Sequence, residues 1–260
     1  MLQNIQYATD LGQAHDSEPN HEELRAHYDE EYFERGVVTG VSGYMNYSWM
    51  PEQTLRMAHY FVNNIPILSG QSVLDFGCAK GYVVKALRLL DVDAHGVDVS
   101  RYAIDCADKS VAPHCSLIEG CADPALFSRN YDLMLSKDVF EHIPESALRT
   151  LMTRALSHVG RIFTAIPLGQ DNDSGKFVVP AYNLDVTHIT AKTLGWWLDL
   201  FESCGWHVAT FGFHFKGCKE HWTKKWNEGN AFFTLVHPGA AQTRPTPNRG
   251  RSTGQAERIA

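Results

Sequence analysis

No apolar run in this 260-residue chain approaches the length of a membrane span. The N-terminus also lacks the basic and apolar regions of a signal peptide. A membrane-embedded or exported protein is therefore not expected. The six cysteines (Cys78, Cys106, Cys115, Cys121, Cys204 and Cys218) show no paired spacing, which argues against a disulfide framework and for reduced thiols in a cytoplasmic protein. An excess of basic charge is missing too. The formal net charge of −7 argues against broad nucleic-acid affinity, which is built from phosphate-neutralising Lys and Arg. No internal repeat is visible, and the Gly-x-Gly-x-x-Gly fingerprint of a nicotinamide-dependent oxidoreductase is absent.

What is present is organised around Ser72-Val73-Leu74-Asp75-Phe76-Gly77-Cys78-Ala79-Lys80-Gly81-Tyr82. A strand runs into an acid, a small-residue turn follows, and an amphipathic helix opens with Val83, Val84, Ala86, Leu87, Leu89 and Leu90 inside and Lys85 and Arg88 outside. Such a turn at a helix start brings backbone N–H groups close to a ligand, and the glycines are expected to let it lie on the main chain. A second strand, Ala94-His95-Gly96-Val97, ends in Asp98, placed to accept hydrogen bonds from ribose hydroxyls. This pattern reads as a nucleoside pocket.

These residues resemble the class I S-adenosylmethionine-dependent methyltransferases. The run Val73 to Gly81 looks like their first motif and Gly96-Val97-Asp98-Val99-Ser100 like their second. Tyr131 to Ser136, followed by Val139-Phe140-Glu141-His142-Ile143-Pro144, looks like the fourth-strand signature. The resemblance covers residues 50 to 237 and implies S-adenosyl-L-methionine as cofactor. It implies cofactor contacts at Asp75, Phe76, Gly77, Cys78, Gly81, Asp98, Val99, Cys121, Ala122 and Ser136. Two positions depart from the family pattern. Ala79 replaces a common third glycine, and Gly120-Cys121-Ala122 stands where an Asp often meets the adenine amino group.

One domain is expected over 51–237, preceded by an arm over 1–50 and followed by a disordered tail over 238–260. In the arm, 21–35 reads as one helix whose Tyr28, Tyr32 and Phe33 either pack on the domain or form a lid over the cofactor. From Ser72 onward strand and helix alternate, with strands near 72–77, 93–98, 115–120, 131–136, 160–166, 206–213 and 231–237. The fold class is α/β: a Rossmann-like, seven-stranded, mostly parallel sheet with helices on both faces and an antiparallel edge hairpin. Asp75, Asp98, Gly120, Ser136 and Pro167 should border one cleft.

Methyl transfer to a hydroxyl needs a group that takes its proton. The candidate bases are His142 and His188. Asp138, Glu141 and His142 recur at i, i+3 and i+4, so one helical turn would align them. With His188 they form a candidate divalent-metal set resembling that of small-RNA 2′-O-methyltransferases, and the acid-x-x-Glu-His stretch also resembles quinone-biosynthesis O-methyltransferases. A structural role is the third reading of the same residues. Asp185-x-Thr187-His188, with Trp196 and Trp197 after it, is similar to a segment of methyltransferases encoded among glycan-biosynthesis enzymes. The expected partner is thus a small-molecule acceptor, a sugar or glycan-precursor hydroxyl, ahead of an RNA 2′-hydroxyl or a non-catalytic binding role. The stretch 213–226, with four lysines among aromatics, reads as a solvated hairpin, and His214, Cys218 and His221 lack a fourth ligand for zinc.

Overall fold

The computed structural model describes residues 21–172 and 174–237. The expected loose start over 1–20 and the tail over 238–260 lie outside the described residues. The seven strands are β1 (Ser72–Phe76), β2 (Asp93–Asp98), β3 (Cys115–Leu117), β4 (Tyr131–Lys137), β5 (Val159–Pro167), β6 (His207–Gly212) and β7 (Asn230–Val236). They form one sheet in the order β3-β2-β1-β4-β5-β7-β6. The first five strands pair in parallel, while β7 runs antiparallel to both β5 and β6. The expected mixed sheet is therefore present, with β6 at its edge.

Period-two alternation explains why both faces are covered. Val73, Leu133, Leu135, Phe163 and Ala165 point into one apolar layer with Met57, Ala58 and Phe61 of α3 (Pro51–Asn64) and Val84 and Leu87 of α4 (Tyr82–Arg88). Their neighbours Leu74, Phe76, Met134, Ile162 and Ile166 join the opposite layer with Leu148, Leu151 and Met152 of α6 (Glu145–Ala155) and Trp197 and Phe201 of α7 (Leu194–Ser203). Strands buried on both sides need apolar residues on both faces, as Val73, Leu74 and Phe76 of β1 and Leu133, Met134 and Leu135 of β4 supply. Local signals set the helix starts. Pro51 is in the first turn of α3, and Ser100 caps α5 (Arg101–Asp105) by accepting from the Ala103 N–H at 2.9 Å.

Three expectations change. The single helix over 21–35 is broken into α1 (His21–Ala26), a π-helical turn over Glu31–Arg35 and α2 (Gly36–Thr39). The break lets Tyr32 and Phe33 turn inward together, both buried. The stretch 213–226 is not a solvated hairpin. It contains α8 (Glu220–Lys225) and sends Cys218, Lys219 and Thr223 back against the domain. Leu89 and Leu90, expected on the inner face of the helix after the turn, are exposed, because α4 ends at Arg88. No helix among the described residues is long and apolar enough to cross a membrane.

Candidate active site

The β1–α4 turn is built by left-handed backbone at Gly77 (φ 82°), Ala79 (φ 48°) and Gly81 (φ 74°). A Cβ at Gly77 would stand 2.4 Å from Val139 Cγ2, and one at Gly81 would stand 2.8 Å from Cys115 Sγ. The protein's own side chains thus occupy the space these glycines open. This corrects the expectation that the missing Cβ atoms admit a ligand: they admit Val139 and Cys115. Ala79 adopts a conformation that costs an L-residue about 1–2 kcal/mol. The Asp98 carboxylate holds it there, with Oδ2 accepting from the Ala79 N–H at 2.7 Å and Oδ1 from the Ser100 N–H at 2.8 Å.

Beside this turn lies a cavity of about 110 Å³. It is lined by Phe76, Gly77 and Ala79 from β1 and its turn, Val97, Asp98 and Val99 from the end of β2, Ile118 after β3, and Asp138, Val139, His142 and Ile143 after β4. Of the residues expected to meet a cofactor, Phe76, Gly77, Asp98 and Val99 are on this wall. Asp75, Cys78, Cys121 and Ser136 are buried behind it, Gly81 packs on Cys115, and Ala122 faces solvent. Ile118 was not singled out by sequence reading, because one apolar residue at a strand end has no distinguishing pattern.

The N-terminal segment covers the cavity with Leu24, Arg25, Tyr28, Tyr32, Phe33 and Tyr44. Its anchors are polar. Ser100 Oγ donates to the Tyr28 carbonyl at 2.6 Å, and Tyr32 Oη donates to Asp185 Oδ2 at 3.0 Å. Lys80, buried in the β1–α4 turn, pairs with Glu34 and donates to the Tyr47 carbonyl at 2.9 Å. Nothing in the motif spacing pointed to Lys80. Its partners are more than thirty residues away and become visible only in three dimensions.

After β4 the expected helical alignment does not form. Asp138 is left-handed (φ 56°), and only Phe140–His142 makes a 3₁₀ turn. Asp138 pairs with Lys137 and with Lys219 from the stretch before α8, and these cations hold its carboxyl well below the usual range against the opposing effect of burial. A carboxylate neutralised by two lysines does not fit a metal ligand, which removes Asp138 from the expected set. The other three do converge. Potential ligand atoms of Glu141, His142 and His188 all lie within 4.8 Å of one another, and the two imidazole centroids are 4.5 Å apart.

Glu141 is 0% exposed, and neither carboxyl oxygen has a hydrogen-bond partner. Burial, followed by the Asp138 charge, raises its pKa well above the carboxylate range. Burial pushes His142 down to about 4 and also lowers His188, so both rings are neutral at neutral pH. An unpartnered buried carboxyl costs about 1–3 kcal/mol. Glu141→Met is therefore expected to raise the melting temperature of the ligand-free chain, checked by calorimetric melts.

Asp75 is a second buried acid, pushed up to about 7 by burial and then by the Asp98 charge. Its ordinary value is 3.8, so the folded chain holds a proton that the unfolded chain releases between these values. This group's stabilising contribution is present below 3.8 and is lost as pH rises through about 7. Asp75→Asn is expected to raise the melting temperature, with a gain that grows as pH increases and levels off above about 7. A gain independent of pH would contradict the assignment.

The family model described as a methyltransferase domain matches residues 48–171, the part that carries the turn, Asp98 and Glu141-His142. This stretch is a domain of the class I S-adenosylmethionine-dependent methyltransferases. Solved structures share this methyltransferase's fold. One is a methyltransferase solved with its Haloferax volcanii activator protein, 16% identical, TM-score 0.55, covering 73% of this chain and 92% of its own. A TehB-like S-adenosylmethionine-dependent methyltransferase from Corynebacterium glutamicum is 16% identical with a TM-score of 0.51, covering 70% of this chain and 87% of its own. The glycopeptide N-methyltransferase MtfA, solved with S-adenosyl-L-methionine, is 13% identical with a TM-score of 0.52, covering 72% and 95%. A search of the curated proteins finds no match in sequence. At these identities the solved structures show the fold of this methyltransferase alone.

Proposed function

We propose that this methyltransferase alkylates a hydroxyl of a small-molecule acceptor, a sugar, glycan precursor or related metabolite, with His142 as the proton acceptor and His188 beside it. The carrying observation is an imidazole, His142, that burial keeps neutral, on the wall of the cavity that Asp98 also lines. When bound, S-adenosyl-L-methionine supplies a methyl group on a cationic sulfur. The residues present fit that cofactor. Asp98 is a buried acceptor for a ribose diol, and each of its oxygens keeps a lone pair beyond the backbone bond it already accepts. Phe76, Val99, Ile118 and Ile143 offer apolar surface to an adenine ring. Tyr28, Tyr32 and Tyr44 act as the lid, excluding water and aligning the reactants. A hydroxyl proton becomes strongly acidic only as its oxygen gains the methyl group. A base that stays neutral down to about 4 is therefore strong enough, and it is not lost to protonation beforehand.

The test is incubation of a metabolite extract with methyl-labelled cofactor and mass spectrometry of what acquires the label. A labelled hydroxyl metabolite supports the reading. Label only in amines, only in RNA, or in nothing would defeat it, the last outcome pointing to a binding module.

A second reading, metal-assisted methylation of an RNA 2′-hydroxyl, is favoured by one observation: Glu141, unpartnered, faces His142 and His188. These three residues would hold the ion. The acidic net charge and the lysine-paired Asp138 oppose it. The small-molecule reading predicts protein purified without chelator that carries no stoichiometric Mn, Fe, Co, Ni or Zn by elemental analysis and loses no turnover to EDTA. A stoichiometric ion removed by Glu141→Gln would favour the second.

A further inference from the structure

His142 is held by Thr187, which the sequence marks only as part of the Asp185-x-Thr187-His188 segment. Its Nδ1 lies 2.8 Å from Thr187 Oγ1, and that hydroxyl lies 2.6 Å from Asp185 Oδ1. A hydroxyl has one proton to give, and a carboxylate can only accept. The Thr187 proton therefore goes to Asp185, and the Thr187 oxygen is left to accept from His142. The ring proton is thus fixed on Nδ1, and Nε2 carries the lone pair. Asp185 is itself fixed: Oδ1 also accepts from the Thr187 N–H at 3.0 Å, and Oδ2 accepts from Tyr32 Oη at 3.0 Å. His188 reaches the same tautomer by a separate route, since its Nδ1 lies 2.6 Å from the Tyr182 carbonyl, which can only accept.

We infer that Thr187 and Asp185 are positioning residues for the methyl transfer: they lock His142 as the Nδ1–H tautomer so that Nε2 receives the acceptor's proton. This rests on the reading of His142 as the base. In the balanced step the acceptor oxygen forms a bond to the methyl carbon, the carbon–sulfur bond breaks with its electron pair going to sulfur, and the hydroxyl proton passes to His142 Nε2. With the proton on Nε2 instead, the ring would present a donor to the hydroxyl and could not receive its proton. Tyr32 brings the covering segment into the same chain of hydrogen bonds, so the base is oriented by the residues that close the cavity.

The test reads the tautomer directly. In the uniformly ¹⁵N-labelled full chain, two-bond ¹H–¹⁵N correlations of the imidazoles separate Nδ1–H from Nε2–H, with His142→Gln and His188→Gln assigning the two rings. The wild-type chain is expected to show both rings as Nδ1–H. Thr187→Val, which keeps the shape and removes the hydroxyl, is expected to lose the single tautomer at His142 and leave His188 unchanged. Thr187→Ser restores it. Asp185→Asn, whose amide can donate where the carboxylate could not, shifts His142 in the same direction and serves if the valine variant does not fold. Calorimetric titration with S-adenosylhomocysteine reports that each variant keeps its cofactor site. With the acceptor from the labelling screen, Thr187→Val should lower kcat roughly tenfold or more at unchanged KM. A His142 ring carrying its proton on Nε2 in the wild type, or unmoved by both variants, overturns the positioning role whatever the rates. A shifted tautomer with unchanged kcat overturns the base reading.

Discussion

His142→Gln is expected to lower turnover by roughly 10²–10⁴-fold, the usual contribution of a positioned proton acceptor, while S-adenosylhomocysteine binds with unchanged affinity. Glutamine fills much of the imidazole's space but offers no titratable nitrogen. The two effects separate because His142 and Asp98 reach the cavity wall from different connections, after β4 and at the end of β2. His188→Gln is expected to cost less, because His188 approaches the cavity only through its contact with His142. Single-turnover rates on the acceptor found by the labelling screen decide the matter. A His142→Gln rate within a few-fold of wild type would return this residue to a packing role.

The second large effect belongs to the cofactor. Asp98→Ala is expected to weaken binding by about 1–3 kcal/mol, the cost of leaving hydroxyl partners unpaired, or roughly ten- to a hundredfold in Kd. The structure adds a reason the sequence did not contain. The same carboxylate holds the Ala79 and Ser100 N–H groups, so its removal also releases the strained turn at Ala79. Asp98→Asn keeps a carbonyl acceptor and should lose less than Asp98→Ala. Ala79→Gly in the Asp98→Ala background is expected to recover part of the loss, because glycine takes positive φ without strain. Calorimetric titration with S-adenosylhomocysteine measures both. Wild-type affinity in Asp98→Ala would contradict the ribose assignment.

Much of the architecture was legible because it is encoded locally. Strands buried on both faces read as short apolar runs, and glycine and small-residue turns mark where they end. Gly77, Gly81 and Asp98 could be located from spacing alone. What those residues do was less legible. The glycines looked like openings for a ligand, yet Val139 and Cys115 fill the space, a packing relation between residues 62 and 34 positions apart in the chain. Asp138 looked like a ligand because i, i+3, i+4 spacing assumes helix. A left-handed residue and a pair of lysines, one eighty-one positions away, give it a different partner.

The sequence by itself determined the α/β sheet, the small-residue turn after the first strand and the acid that ends the second strand, since each follows from the periodicity and residue types of short segments. Only the tertiary structure decided which side chains meet at the cavity and behind its wall: the covering tyrosines, the Lys80 anchor, the unpartnered Glu141, and the Asp185–Thr187–His142 chain of hydrogen bonds. The reason is physical. A strand or turn is specified by backbone preferences acting over a few residues. The proton on a histidine ring is specified by whichever donor or acceptor the fold brings within 3 Å, and that neighbour can come from anywhere in the chain.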